Sequence, residues 1–125
     1  MEALYGATQD EWDRTREEIR EILVGVAKSR GAAGLITYKQ LTSRVRTSPI
    51  VHNPPVLWRM LNEIAESEDR AGRGMLAALV VKKDKAKLKP GTGFFRTAAR
   101  LGRDVADEKK CWLQETARVY AAHAR

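Results

Sequence analysis

Lysine recurs at positions 82, 83, 85, 87 and 89, and arginine at 96, 100 and 103, in a stretch whose sole acid is Asp84. Cations set this closely suit non-covalent phosphate chemistry. Each ammonium or guanidinium that meets a phosphate releases a condensed counterion and adds affinity without reading base sequence. Residues 73–103 carry nine basic side chains against that one acid, a net of +8, whereas residues 1–72 net −1 and residues 104–125 balance. The formal charge of +7 therefore belongs to one block. Strand alternation sends several of Lys82, Lys83, Lys85, Lys87 and Lys89 the same way, and spacings of four and three line Arg96, Arg100 and Arg103 along one helical face. Reading a base edge requires Arg, Asn or Gln at a groove. The candidates are Arg44, Arg46, Asn53 and Arg59, with Thr37, Tyr38, Ser48 and His52 near them, while Trp58 is expected to be a core or interface aromatic.

Covalent or acid–base chemistry has less to work with. Cys111 is the single cysteine, flanked by Lys110 and Trp112, and no histidine stands near it in sequence to act as a base. With one cysteine and two isolated histidines, His52 and His123, no structural zinc site is expected. The acids between Asp10 and Glu21 complement the start of a helix and pair at i,i+4 with Arg14, Arg16 and Arg20. Gly91-Thr92-Gly93 lacks the Lys-Ser/Thr that would make it a P-loop. The expectation is a non-enzymatic protein with no cofactor and no metal.

The elements that must position these residues follow from caps and periodicity. Thr8-Gln9-Asp10-Glu11 is a capping box that opens a helix over about 9–30, with Trp12, Ile19, Ile22, Leu23 and Val26 on its apolar stripe. Leu35-Ile36 is a short strand, and a second box, Thr37-Tyr38-Lys39-Gln40, starts a helix over about 38–45. Three prolines between Thr47 and Pro55 make a loop. Asn53-Pro54 opens a third helix that runs to about Ala71 and buries Leu57, Met60, Leu61, Ile64 and Ala65. Its acids are Glu63, Glu66, Glu68 and Asp69, and the face carrying Glu63, Glu66 and Asp69 is read as solvated. Met75 to Val81 reads as a strand, 82–90 as a basic hairpin, and Pro90-Gly91-Thr92-Gly93 as a turn before a short helix holding Phe94 and Phe95. Asp104 or Asp107 caps a last helix presenting Val105, Trp112, Leu113, Thr116 and Tyr120 inward.

A chain of 125 residues with 43% hydrophobic and 31% charged side chains suits one domain, expected over 1–125. No apolar run reaches the roughly 18–20 residues needed to cross a bilayer, and Met1 to Tyr5 is not a secretory leader, so the expected location is cytoplasmic. The element order, helix, strand, helix, helix, strand, strand, predicts an α+β fold. In detail, this is a mainly helical winged helix-turn-helix with a small antiparallel sheet and two C-terminal helices.

Leu35-Ile36-Thr37-Tyr38-Lys39-Gln40-Leu41 resembles the Thr-Tyr-Gly segment of the winged-helix, DNA-binding domain of alkylguanine-DNA alkyltransferases and alkyltransferase-like proteins. The similarity continues through Trp58-Arg59-Met60-Leu61 to Leu76–Val81. The resemblance implies that Tyr38 lies against the DNA backbone and that Arg59 fills the space of a displaced nucleotide. The Pro-Cys-His-Arg signature is absent, with Ala77 and Ala78 near where its Cys and His would stand, so alkyl transfer has no nucleophile. The Tyr-to-Arg spacing is longer by the Thr47–Pro55 loop. Leu76–Val81 followed by Lys89-Pro90-Gly91-Thr92-Gly93-Phe94-Phe95 also resembles a small uncharacterised bacterial domain with a Pro-Gly-x-Gly-Phe loop, which implies no activity.

These readings converge on a DNA-binding protein, duplex favoured, that grips phosphates through a basic wing. The competing expectation is a protein-interaction or regulatory module, for example phage–host or defence-associated. It would dock a protein partner or a second copy through the acidic third helix or the aromatics. An enzyme acting on a displaced base would need a concave pocket beside both Tyr38 and Arg59.

Overall fold

A computed structural model describes residues 6–29, 34–84 and 87–124. Helix α1 (Gln9–Ser29) starts where Thr8 Oγ1 accepts from the Glu11 amide at 3.1 Å. Strand β1 (Ile36–Thr37) leads directly into α2 (Tyr38–Arg44). The capping box there is complete: the Gln40 amide donates to Thr37 Oγ1 at 3.1 Å, and Gln40 Oε1 accepts from the Thr37 amide at 3.0 Å. The proline-rich loop contains a 3-10 turn, Pro49–His52, and is tied to α1 by Glu18, whose carboxylate accepts from the Arg46 and Thr47 amides. Burial pushes the Glu18 carboxyl up, but those two amides and the Arg46 charge together hold it below its ordinary range.

Helix α3 (Pro54–Arg70) begins at Asn53, but the Asn53 side chain makes no capping bond. Pro54 and Pro55 have no N–H to offer, and the first free amide, Val56, bonds to the Asn53 carbonyl at 3.0 Å. After α3 the chain departs from the expected strand. Leu76–Leu79 forms a 3-10 helix, and strand β2 (Val80–Asp84) starts only beyond it. An unbroken apolar run cannot distinguish the two by periodicity. The helical turn is held from outside, where Trp112 Nε1 donates to the Ala78 carbonyl at 2.8 Å. Strand β3 (Lys87–Lys89), helix α4 (Thr92–Arg100) and helix α5 (Glu108–Ala122) follow. Asp107 caps α5 by accepting from the Lys110 amide at 3.1 Å, whereas Asp104 bonds the Ala106 amide in the preceding loop.

The architecture is α+β: the described residues form five α-helices and a three-stranded sheet in the order β1-β2-β3. The sheet is mixed, not antiparallel as expected. Ile36 and Thr37 pair in parallel with Val80 and Val81, and only β2–β3 is antiparallel. The reason is the crossover: α2, α3 and both 3-10 turns lie between β1 and β2 and return the chain in the same direction.

The main core gathers Trp12, Ile19, Leu23, Leu41, Met60 and Leu79 from α1, α2, α3 and the 3-10 turn. A second cluster places Phe94 and Ala98 of α4 and Cys111 of α5 against Ala65, Met75 and Ala78. Leu113 is 52% exposed, contrary to expectation, because α5 turns Cys111, Glu115 and Val119 inward together with Thr116, whose inward place is the expected one. Glu115 disguised that face. It is buried because it accepts from the Met75 amide at 2.8 Å and pairs with Arg103 and Arg118. Gly74 is required at this junction: its φ is +83°, and a Cβ would stand 3.3 Å from Glu115 Oε2. Among the described residues no helix is long and apolar enough to cross a membrane.

Candidate nucleic-acid interface

Three helical stripes meet around one open cleft of about 910 Å3. Tyr38 and Thr42 come from α2, Trp58 and Asn62 from α3, and Thr92, Arg96 and Arg100 from α4, each set spaced by four residues so that it shares a face. Lys82 of β2 and Lys39 complete the rim, and Val51, Leu57, Leu61 and Phe94 line the apolar floor. The Tyr38 ring is half-buried in the wall with its hydroxyl against Gly91, where a Cβ would come within 3.2 Å. Burial pushes the Tyr38 phenol above its ordinary value, against the opposing effect of the Gly91 backbone. Trp58 is 57% exposed on the rim, which removes the core alternative expected for it and leaves the interface one. Asn62 Oδ1 accepts from Thr97 Oγ1 at 2.9 Å, which fixes the amide with its NH2 available as a donor.

Among the described residues lining the cleft there is no carboxylate, while Lys39, Lys82, Arg96 and Arg100 supply four cations. Among the described residues Arg100 alone of these is ion-paired, with Glu66. The other acids of α3 are also taken up within the molecule, so the solvated face read from sequence is corrected. Glu63 accepts from Trp12 Nε1 and Arg16 at 2.8 Å each. Glu68 is buried beneath Arg73 and Arg20, and Asp69 binds Arg103 at 2.6 Å.

The basic block thus divides by role. Arg73 and Arg103 are internal counter-charges. Arg103 leaves the helical face proposed for it, because α4 ends at Arg100 and the chain turns back to Glu115 and Asp69. Bonding to Glu115, reinforced by Asp69, holds its guanidinium even further above its already high range. On the hairpin, the pairing of Lys82 with Lys89 sets both on one face, and alternation adds Lys87 and its register partner Asp84. Lys83 and Leu88 take the opposite face, which with Arg44 and Thr37 lines a separate groove of about 800 Å3 against α1. Lys85 lies outside the described residues.

The remaining expected contacts are dispersed. Arg46 is exposed on the loop tied to Glu18, and Asn53 is exposed at the start of α3. Ser48 is buried and caps the 3-10 turn at Ile50. Arg59 stands over the Trp12 ring, 5.5 Å from its centroid and 3.8 Å from Glu63, outside the cleft lining. A concave pocket therefore lies beside Tyr38 but not beside Arg59. Sequence reasoning missed Lys39, Thr42, Asn62, Thr92 and Thr97; extending Tyr38, Trp58 and Arg96 by four residues each way finds Thr42, Asn62 and Thr92. Burial pushes the Cys111 thiol up, the opposite of what a nucleophile requires.

No family model matches the chain, and no curated protein or solved structure matches it.

Proposed function

We propose that this chain is a non-enzymatic, cytoplasmic DNA-binding protein of winged-helix type, with the β2–β3 hairpin as its wing and the adjoining cleft as the continuation of the same phosphate-binding surface. One observation carries the reading: the cleft and the hairpin face beside it collect Lys39, Lys82, Lys87 and Arg96 with no carboxylate in the cleft lining. A cleft lining that carries cations and no acid attracts a polyanion and orients it during approach. The internal pairing of the α3 acids also supports DNA over a basic protein partner, since those carboxylates are not on offer to one.

The test is a titration of a labelled 20-base-pair duplex at several salt concentrations. Binding weakens steeply with salt, and K82Q/K87Q/R96Q lowers the slope of log affinity against log salt by about 2–3, near 0.9 per lost phosphate contact. The pair R44Q/K83Q, on the opposite groove, leaves it unchanged. Equal slopes for wild type and the triple variant, or no retention of duplex at low salt, refute the assignment.

A further inference from the structure

The cleft holds more than a duplex backbone uses. Phosphates need cations, but this site adds an indole that is 57% exposed, an apolar floor and a fixed amide donor inside a concavity of about 910 Å3. A flat B-form backbone makes no use of an apolar floor, whereas an unpaired base presents a π-face to an aromatic ring and an edge to a donor. An acidic peptide would meet the same cations but would leave the exposed Trp58 indole without the flat ring that a base stacks on it. Resting on the DNA-binding reading above, we infer that the cleft receives the unpaired nucleotides of a strand, with Trp58 as stacking platform, Asn62 Nδ2 donating to a base edge, and Lys39, Lys82 and Arg96 on the flanking phosphates. The substrate class is then DNA that carries an unpaired segment beside a duplex: the duplex lies along the hairpin and the cations at the cleft rim, and the strand that leaves it passes into the cleft over Trp58.

The experiment compares a blunt duplex, the same duplex with a five-nucleotide single-stranded overhang, and the overhang strand alone, against wild type, W58A and W58F. An RNA overhang of the same sequence runs beside the DNA one. The overhang is expected to tighten binding over the blunt duplex by about 5- to 150-fold, the stacking worth of one base. W58A abolishes that gain, W58F keeps part of it, and neither changes blunt-duplex affinity. A tighter RNA overhang that W58A also weakens overturns the assignment of the cleft to DNA. Equal affinity for blunt and overhanging duplex, or a W58A effect of equal size on both, overturns the inference while the DNA-binding reading stands. Failure of every probe to bind overturns that reading itself.

Discussion

The hydroxyl of Tyr38, on α2, lies so close to Gly91, at the start of α4, that a single added methyl at 91 would sit 3.2 Å from it. This contact joins the wall of the cleft to its mouth and sets where α4 begins. The φ of Gly91 is −72°, so glycine is needed there for space and not for backbone freedom. Gly91→Ala is expected to destabilise by about 1–2 kcal/mol through crowding. Tyr38→Phe in the same chain should recover much of that loss by removing the crowded oxygen. A four-variant urea-denaturation cycle measures the coupling, and a coupling near zero would remove the hydroxyl as the obstacle.

Arg100 reaches the cleft while paired with Glu66 on α3. Glu66→Gln removes that competitor and leaves the guanidinium to a phosphate. Duplex affinity should rise about two- to fivefold at low salt, with a salt slope steeper by close to one contact. Arg100→Gln in the same background should cancel the gain.

Glu115 is 1% exposed and holds the Met75 amide together with Arg103, itself 18% exposed on its side chain. Removing the carboxylate strands a largely buried guanidinium and an amide at once. Glu115→Ala should cost about 3–5 kcal/mol by chemical denaturation. Asp69→Ala, which leaves Arg103 its second carboxylate, should cost clearly less.

His123 has its Nε2 buried with no hydrogen-bond partner among the described residues. Burial holds its pKa below the ordinary histidine value; Glu68 pulls it back up, and Arg20, Arg73 and Lys28 push it down. The unfolded chain therefore takes up this proton first, at about pH 6.5. The stability it contributes is complete above that pH and is lost as pH falls from about 6.5 through the lower folded-state value. Melting temperature recorded from pH 7.5 to 5 should fall less steeply for His123→Gln than for wild type.

Helix starts were legible because caps are local. Thr8, Thr37 and Asp107 each bond an amide three residues on, and the signal lies within four letters. The Leu76–Leu79 turn was not, since what selects it is Trp112, over thirty residues away. The cleft was half legible. Its cations announce themselves by number, but their division into working and internal charges depends on partners remote in sequence, such as Asp69 for Arg103 and Glu66 for Arg100. Trp58 stayed open between core and interface because an aromatic next to Leu57 and three residues before Leu61 fits a buried stripe as well as a rim.

The two-residue seam between β1 and β2 also dictates an order of assembly. Ile36 and Val80 stand side by side with α2 and α3 in the chain between them, whereas Lys82 and Lys89 meet across a hairpin. Closing the long loop costs chain entropy that the two-residue ladder alone does not recover, so the seam forms only once the helices have shortened the gap. The hairpin extends from β2 beyond that seam and so takes its native place late. Changes to its exposed lysines should therefore alter how fast the native protein unfolds and leave the rate of folding almost untouched.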